Sequence, residues 1–225
     1  MKEKLFLAVI ITSLLAITGP HTQAQTTAQT KPQTNASDYL PKYEIGADIV
    51  TLTCCYDVTR PGAGGRFTYN LNRRVALEAA GYFIPENNCS GQITGSISEG
   101  LFGVKAGQRF KKWGIFAKAR PGVISLSKGF FDLVPNGNGT AFPFDILVRR
   151  QTNFALDLGG VVEAYPTKKL VLRFDGGLLI NHYGSQVHHS GFIDPASGLF
   201  VPETFNLPGY TVGYFQFTGG VGFRF

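Results

Sequence analysis

The feature of this 225-residue sequence that most restricts its fold is an alternation of apolar and polar residues that occurs eight times. In the first case, apolar residues such as Ile45 and Ile49 alternate with Glu44 and Asp48. A period of two places successive side chains on opposite faces of a β-strand. The sequence therefore predicts eight strands, at residues 43–51, 66–71, 75–83, 99–110, 115–123, 154–163, 170–180 and 215–225.

Fourteen charged residues fall within these spans, and each lies on the face opposite its strand's apolar row. An Arg or Lys that faces lipid at mid-membrane costs roughly 2–4 kcal/mol, whereas a polar lumen accepts it. The apolar rows are therefore expected to face lipid. Seven basic and seven acidic residues predict a plugged, salt-bridged lumen, with the set Glu44, Asp48, Arg66, Glu78, Glu99, Lys105, Arg109, Lys118, Arg120, Asp157, Glu163, Arg173, Asp175 and Arg224.

The connections between the strands alternate in length. Short turns are predicted at 72–74, 111–113 and 165–169, and long loops near 53–65, 85–98, 127–153 and 182–209. Short turns on one side and long loops on the other are typical of outer-membrane barrels. The predicted fold is an all-β, eight-stranded, antiparallel, up-and-down transmembrane β-barrel. The alternative is a soluble lipocalin-type barrel, which places its apolar row inside.

The N-terminal segment indicates secretion. Lys2 and Lys4 precede an apolar run that ends near Gly19, which is the layout of a cleaved signal peptide over residues 1–24. Residues 25–41 are rich in Thr, Gln and Ala and are interpreted as a flexible periplasmic leader, followed by the barrel domain at 42–225. No apolar run after Gly19 is long enough to span a membrane as a helix.

Composition agrees with a barrel and argues against one class of partner. The chain has 28 Gly, 19 Phe and 9 Tyr, which suit twisted strands and interfacial aromatic girdles. Trp113, Tyr165, Phe223 and Phe225 are expected at the periplasmic rim. The net charge of +6 is spread along the chain, so no nucleic-acid partner is expected.

The C-terminal residues 213–225, GYFQFTGGVGFRF, have aromatic residues at alternate positions and a terminal Phe. Over residues 43–225 the sequence resembles the outer-membrane β-barrel family that includes OmpA-like and opacity-type small barrels. The resemblance implies a bacterial outer-membrane location. It also implies recognition by the barrel-assembly machinery through Phe223 and Phe225. Activities differ widely among proteins with one fold, so it implies no reaction.

The three cysteines, Cys54, Cys55 and Cys89, fall in the first two predicted outer loops. In an oxidising compartment Cys89 could bridge to Cys54 or to Cys55, and a vicinal bridge between Cys54 and Cys55 is the strained alternative. The pairing stays open at this point. A metal site is disfavoured because few other ligands lie nearby.

One group of residues suggests catalysis. His188, His189 and Ser190 precede Glu203 in the last predicted loop, and the His-x-Ser pairing looks like that of lipid A deacylases. A flexible loop is a poor site for a rigid catalytic group, and the same objection applies to a metal site at His182, His188 and His189. The glycine-rich residues 62–65 lack the lysine and following helix of a phosphate loop, so no cofactor is expected.

The function predicted from sequence is a structural or surface-interaction role without enzymatic activity. Contacts with lipopolysaccharide or an extracellular ligand are expected through loops 127–153 and 182–209, which carry Phe130, Phe131, Phe142, Phe144, Phe192 and Phe200. The alternatives are a small-solute pore and an outer-leaflet lipid-modifying enzyme that uses His188 and Ser190.

Overall fold

The structure is a computed structural model that describes residues 40–54, 58–86, 95–135 and 144–225. Its elements are ten strands: β1 (Tyr43–Cys54), β2 (Val58–Asn70), β3 (Val75–Ile84), β4 (Ile97–Arg109), β5 (Trp113–Pro135), β6 (Phe144–Ala164), β7 (Leu170–Tyr183), β8 (Gln186–Ile193), β9 (Phe200–Leu207) and β10 (Tyr210–Arg224).

Eight of these strands form a closed antiparallel barrel in the order β1-β10-β7-β6-β5-β4-β3-β2. The barrel closes where β1 pairs with β10, from Glu44 opposite Arg224 to Thr53 opposite Phe215. Strands β8 and β9 form a separate two-stranded hairpin between β7 and β10. The predicted all-β, eight-stranded antiparallel barrel is confirmed.

Local hydrogen bonds shape the short turns at one end of the barrel. The Asn72 side chain accepts from the backbone N–H groups of Arg74 and Val75, at 2.7 and 2.9 Å. The Thr167 hydroxyl accepts from the N–H groups of Lys169 and Leu170 in the same way, at 3.3 and 3.0 Å. Short polar side chains that bond to nearby backbone reverse the chain within a few residues.

Three of the loops were predicted to be longer than they are in the structure. Strand β2 begins at Val58, β5 continues to Pro135 and β6 begins at Phe144. Residues 182–209 contain β8 and β9. The backbone N–H and C=O groups of these segments are satisfied by pairing with each other, so the hairpins continue beyond the barrel wall. The glycine-rich residues 62–65, which fall within the predicted loop at 53–65, lie within β2.

Several sequence predictions fall outside the described residues. These are the signal segment 1–24, all but the last two residues of the leader 25–41, and Cys55 and Cys89. Cys54 ends β1, but its side chain is not among those described. Across residues 40–54, 58–86, 95–135 and 144–225, no helix has the length and apolar character needed to cross a membrane.

Candidate functional site

The lumen holds the charged residues that the alternation placed on the inward faces. Thirteen of the fourteen residues are buried, and the side chain of the fourteenth, Arg109, is 8% exposed. The strand pleat explains this placement, because each strand turns every second side chain inward.

Glu78 lies at the centre of the lumen network. Its carboxylate accepts hydrogen bonds from Arg173 Nη1 and Nη2 at 2.6 and 2.7 Å, and from Arg120 Nη1 at 2.7 Å. Lys105 lies 4.0 Å from the same carboxylate and forms an ion pair with Glu163. A carboxylate that loses its water on burial needs such donors to remain charged.

The network extends across the barrel through a second group of charges. Lys118 Nζ lies 2.8 Å from Asp157 and 2.7 Å from Asp175. Arg120 donates to Asp157 through Nε at 2.8 Å, and Arg173 donates to Asp175 at 2.9 Å. The pairs therefore share partners in one continuous network that crosses the lumen.

The prediction that Tyr165 belongs to the aromatic girdle is wrong. The Tyr165 side chain is buried, and it turns into the lumen instead of toward the barrel exterior. The Tyr165 hydroxyl donates to Glu163 at 2.8 Å and accepts from Arg109 Nε at 2.9 Å. The Arg224 guanidinium lies 4.1 Å from the centre of the ring. The phenol thus closes the short-turn end of the lumen, while Trp113, Phe223 and Phe225 remain exposed on the outside.

The loop end of the lumen is filled by an apolar plug that sequence reasoning missed. Its members are buried and pack together: Val50, Leu52, Ala80, Tyr82, Ile84, Ile97, Leu101, Ile124, Leu126, Ala155, Leu179 and Tyr183. The signal was present, since apolar residues occupy the lumen-facing row as well as the outward row near these strand ends. The lumen is therefore charged in the half nearer the short turns and mainly apolar in the half nearer the loops, where Glu99, Asn181 and Gln216 are also buried.

Two buried charges lie in stretches that were predicted to be loops. Arg60 Nη2 donates to the carbonyl oxygens of Pro85 and Gly95, at 2.8 and 2.6 Å. Gly95 has a φ of 65°, a left-handed conformation that favours glycine. Asp132 is buried on the part of β5 that continues beyond the barrel.

The outward rows form an apolar belt with a polar upper boundary. Ile49, Phe102 and Phe174 are 60–66% exposed on the barrel exterior. Higher on the same faces, side-chain pairs form hydrogen bonds between neighbouring strands, with distances of 3.0–3.1 Å for Thr53–Thr59, Ser125–Thr152 and His182–Thr211. The belt on β1 thus runs from Tyr43 to a boundary at Thr53.

Above this boundary, β5 and β6 continue as a two-stranded ribbon in which residues 130–135 pair with residues 144–149. We call this segment the outer ribbon. The β8–β9 hairpin packs against it, because the His189 N–H donates to Asp132 Oδ1 at 2.8 Å. The His188 ring lies between Phe130 and Phe205, at 5.4 and 5.1 Å between ring centres.

The outer ribbon and the hairpin expose large apolar side chains. On the ribbon, Ile146 is 65% exposed, and its neighbours Leu147 and Val148 are 40% exposed. The exposed side chains of the hairpin and its turn are Val187, Phe192, Ile193, Leu199, Val201, Phe205 and Leu207.

The phenylalanines proposed for outer contacts are placed unevenly. Phe130 and Phe131 are half-buried, and Phe192 is exposed. Phe142 and the side chains of Phe144 and Phe200 lie outside the described residues. The exposed apolar surface therefore consists mainly of aliphatic residues that the sequence analysis did not single out.

The candidate catalytic residues lie on strands and not in a flexible loop. Ser190 on β8 is directly opposite Glu203 on β9, and His188 lies two residues away on the same face of β8. His188 Nδ1, however, has no hydrogen-bond partner among the described residues, and the His188 ring contacts are aromatic. An activated serine requires an imidazole that is hydrogen-bonded to it and oriented by a carboxylate.

Among the described residues, no group of three or more His, Cys, Asp and Glu side chains is placed to hold a metal ion.

In the turn of the β8–β9 hairpin, the Ser197 hydroxyl and the Ala196 N–H both donate to the Asp194 carboxylate. These hydrogen bonds, that of Ser197 first, lower the pKa of the Asp194 carboxyl. These bonds stabilise the turn.

Comparison with known proteins returns a likeness of fold only. No protein-family model matches the chain, and no curated protein matches it. Among solved structures, it is similar to the N-terminal β-barrel domain of Pseudomonas aeruginosa OprF, with 13% identity and a TM-score of 0.43. It is also similar to Neisserial surface protein A, with 13% identity and a TM-score of 0.45.

A third similar structure is Ail, the attachment invasion locus protein of Yersinia pestis, with 12% identity and a TM-score of 0.43. Each of these matches covers 81% of this chain and 96% of the other chain.

Proposed function

We propose that this protein is a bacterial outer-membrane β-barrel with a structural or surface-interaction role and without enzymatic activity. The observation that carries the proposal is the inversion of polarity, with exposed apolar rows outside and buried paired charges inside. A soluble lipocalin-type barrel has the opposite arrangement. Lipid is the solvent that favours an apolar exterior and a charged interior.

The height of the apolar belt supports a membrane location. The belt on β1 runs from Tyr43 to Thr53, and a tilted strand needs about 9–11 residues to cross a membrane. Aromatic residues mark its lower edge, where the centre of the Tyr43 ring lies 6.1 Å from that of Phe67 and 6.0 Å from that of Phe225. The polar pairs at the upper edge then lie at the outer interface.

A surface role is supported by the outer ribbon and the β8–β9 hairpin. Both rise above the polar boundary and expose aliphatic side chains such as Ile146 and Val201. Exposed apolar patches commonly mark sites of contact with other molecules. We propose that these elements contact lipopolysaccharide or an extracellular partner, and that the C-terminal strand with Phe223 and Phe225 contacts the barrel-assembly machinery.

The location is tested with a heat-modifiability gel on protein extracted from membranes. We expect the unboiled protein to migrate differently from the boiled protein, because a closed barrel resists the detergent until it is heated. Deletion of Phe225 is expected to abolish the shift if the terminal Phe directs assembly. A soluble protein with no shift would contradict the proposal and favour a lipocalin-like binder.

The surface role is tested by trimming the outer elements at residues that already pair. Leu126 lies opposite Gln151, and Tyr183 lies opposite Tyr210, so a two-residue turn can join each pair. We expect the trimmed barrel to assemble with a normal gel shift. Cells that display it should adhere less to alkyl-coated beads than cells that display the full chain. Equal adhesion by the two would contradict the role of these elements.

Two alternatives receive less support. A pore requires a water path, but the lumen holds the charge network and the apolar plug. A lipid-modifying enzyme requires an imidazole bonded to Ser190, whereas the His188 ring packs between two phenylalanines. Lipid A mass spectra that stay unchanged after addition of folded protein would support the non-enzymatic proposal, and a deacylated product would overturn it.

A further inference from the structure

The charges of the described residues are partitioned along the barrel axis. The lumen contains seven basic and seven acidic residues, so it is formally neutral. The loop end has four basic and five acidic residues in the described part of the chain. The short-turn end has seven basic residues, which we call the basic rim: Lys42, Arg73, Arg74, Lys111, Lys112, Lys168 and Lys169.

All seven side chains of the basic rim are exposed. Within the described part of the chain, the exposed acidic side chains are Glu86, Asp145 and Glu203, and all three lie at the opposite end of the barrel. The seven positive charges of the rim exceed the net charge of +6 of the whole chain. The rim is therefore a one-sided positive surface that is complementary in charge to an anionic partner.

The basic rim lies directly below the apolar belt. Lys42 precedes Tyr43 of β1, Lys112 precedes Trp113 of β5, and Lys169 precedes Leu170 of β7. Tyr43 and Trp113 are exposed aromatic residues, of the kind that mark the level of lipid headgroups. The basic side chains are thus at the level of lipid phosphates.

A shallow, open apolar groove lies on the barrel exterior beside one of these basic turns. It has a volume of about 450 Å³ and crosses β7, β10 and β1. Its side-chain walls are Ile45, Ala47, Leu170, Val221 and Phe223.

Lys169 lies at the lower mouth of this groove. Its Nζ is 6.0 Å from the centre of the Phe223 ring. Its carbonyl oxygen accepts a hydrogen bond from the Arg224 N–H at 2.8 Å, which fixes the turn against β10. A hydrophobic wall with an ammonium group at its polar end matches the two parts of an anionic phospholipid.

We propose that the basic rim binds anionic phospholipids of the leaflet at the short-turn end of the barrel. One such lipid places an acyl chain in the groove and its phosphate at Lys168 and Lys169. The inference rests on the proposed membrane location and adds a lipid class and a site to it. Clustered Lys and Arg next to a membrane attract anionic headgroups, by about fivefold in affinity per residue near the surface.

The test is native mass spectrometry of the full chain, folded in detergent with equal amounts of phosphatidylglycerol and phosphatidylcholine that carry the same acyl chains. We expect the barrel to retain phosphatidylglycerol in preference. The double variant Lys168→Gln, Lys169→Gln should reduce that retention by about tenfold or more. The matched control Lys128→Gln, Arg150→Gln removes two basic residues at the other end, outside the outer ribbon, and should leave retention unchanged.

A third variant tests the groove separately from the charges. Ala47→Leu places a larger apolar side chain in the wall of the groove, so it should weaken the retention of one phosphatidylglycerol molecule. The basic rim stays intact in this variant. Equal retention of both lipids by the folded wild-type barrel would overturn the inference. Equal loss of phosphatidylglycerol in the Lys168/Lys169 and Lys128/Arg150 variants would also overturn it.

The heat-modifiability gel is run on the same samples. A folded barrel without a lipid preference contradicts only the lipid site, whereas a chain that does not fold in detergent or membranes contradicts the proposed function itself.

Discussion

At the scale of single residues, Glu78 shows how this barrel tolerates charges in its interior. Its carboxylate is fully buried and accepts hydrogen bonds from two guanidinium groups, those of Arg120 and Arg173. Each charge in the network offsets the loss of water around the next one. Removal of one member leaves its partners buried and unpaired, which is more costly than the absence of the whole pair.

We therefore expect Glu78→Ala to lower the free energy of unfolding by about 3–5 kcal/mol. The measurement is a urea titration of the barrel in lipid vesicles, followed by the fluorescence of Trp113, the single tryptophan. Glu86→Ala is the control, because the pair of Glu86 with Lys128 is exposed and such pairs contribute at most about 1 kcal/mol. Equal losses in both variants would refute the central role of Glu78.

Glycines on the lumen face also have a residue-scale role. A Cβ atom at Gly64 would meet the backbone of Gly81 and the Tyr82 ring on the neighbouring strand. Gly100 faces outward, and a Cβ atom there would lie 3.9 Å from Val123, which is an ordinary contact. Gly64 thus leaves the space that the Tyr82 ring occupies in the plug.

Gly64→Ala is expected to reduce the yield of folded barrel, whereas Gly100→Ala should leave it unchanged. The folded fraction of each variant can be read from the unboiled band on a gel after refolding into vesicles. If Gly64→Ala folds as well as Gly100→Ala, the close packing of β2 against Tyr82 is not needed for assembly.

At the scale of elements, the outer ribbon and the β8–β9 hairpin form one layered unit. The buried carboxylate of Asp132 on β5 accepts the backbone N–H of His189 on β8. The same carboxylate lies 3.7 Å from Arg149 on β6. One side chain therefore joins three strands outside the barrel.

Replacement of Asp132 with Ala should detach the hairpin from the ribbon without opening the barrel. We expect faster amide hydrogen exchange in residues 186–207 and unchanged exchange in the barrel strands, because local openings follow the loss of local contacts. Glu203→Ala, an exposed acidic residue on the same hairpin, is the comparison. Unchanged exchange in the hairpin of the Asp132 variant would show that the aromatic contacts of His188 are sufficient.

The elements also show how far the sequence could be interpreted. The barrel strands were predictable because an apolar exterior and a charged lumen enforce a period of two. The outer ribbon was not predictable, since residues 145–150 are exposed on both faces and nothing enforces alternation there.

The parts of the lumen also differ in how far the sequence predicts them. The charge network followed from the period of two, but the apolar plug did not, because Ile84 and Leu179 lie where both faces of their strands are apolar. Tyr165 was misplaced because a phenol suits either an interface or a polar lumen, and only the positions of Arg109 and Glu163 decide between them.

At the scale of the whole molecule, the lumen has two barriers in series. The charge network fills the lower part, and the apolar plug fills the part below the outer ribbon. An eight-stranded barrel is just wide enough for its own side chains. Ions would have to cross an apolar layer and displace fixed charges.

The expected outcome in planar bilayers is therefore the absence of steady single-channel steps from the purified wild-type barrel. Protein from the same preparation must show the gel shift, so that silence reflects a closed lumen and not an unfolded sample. Regular conductance steps that scale with salt concentration would contradict the plugged interior and favour the pore.

The apolar belt also has a consequence for the unfolded chain. Phe215, Phe217 and Phe223 of β10, and Phe225 after it, have no apolar core in which to bury their rings. In water, such segments tend to pair with one another and aggregate. If the barrel inserts into a membrane as proposed, insertion competes with aggregation, and we expect the chain to need a chaperone that keeps it unfolded until lipid is available.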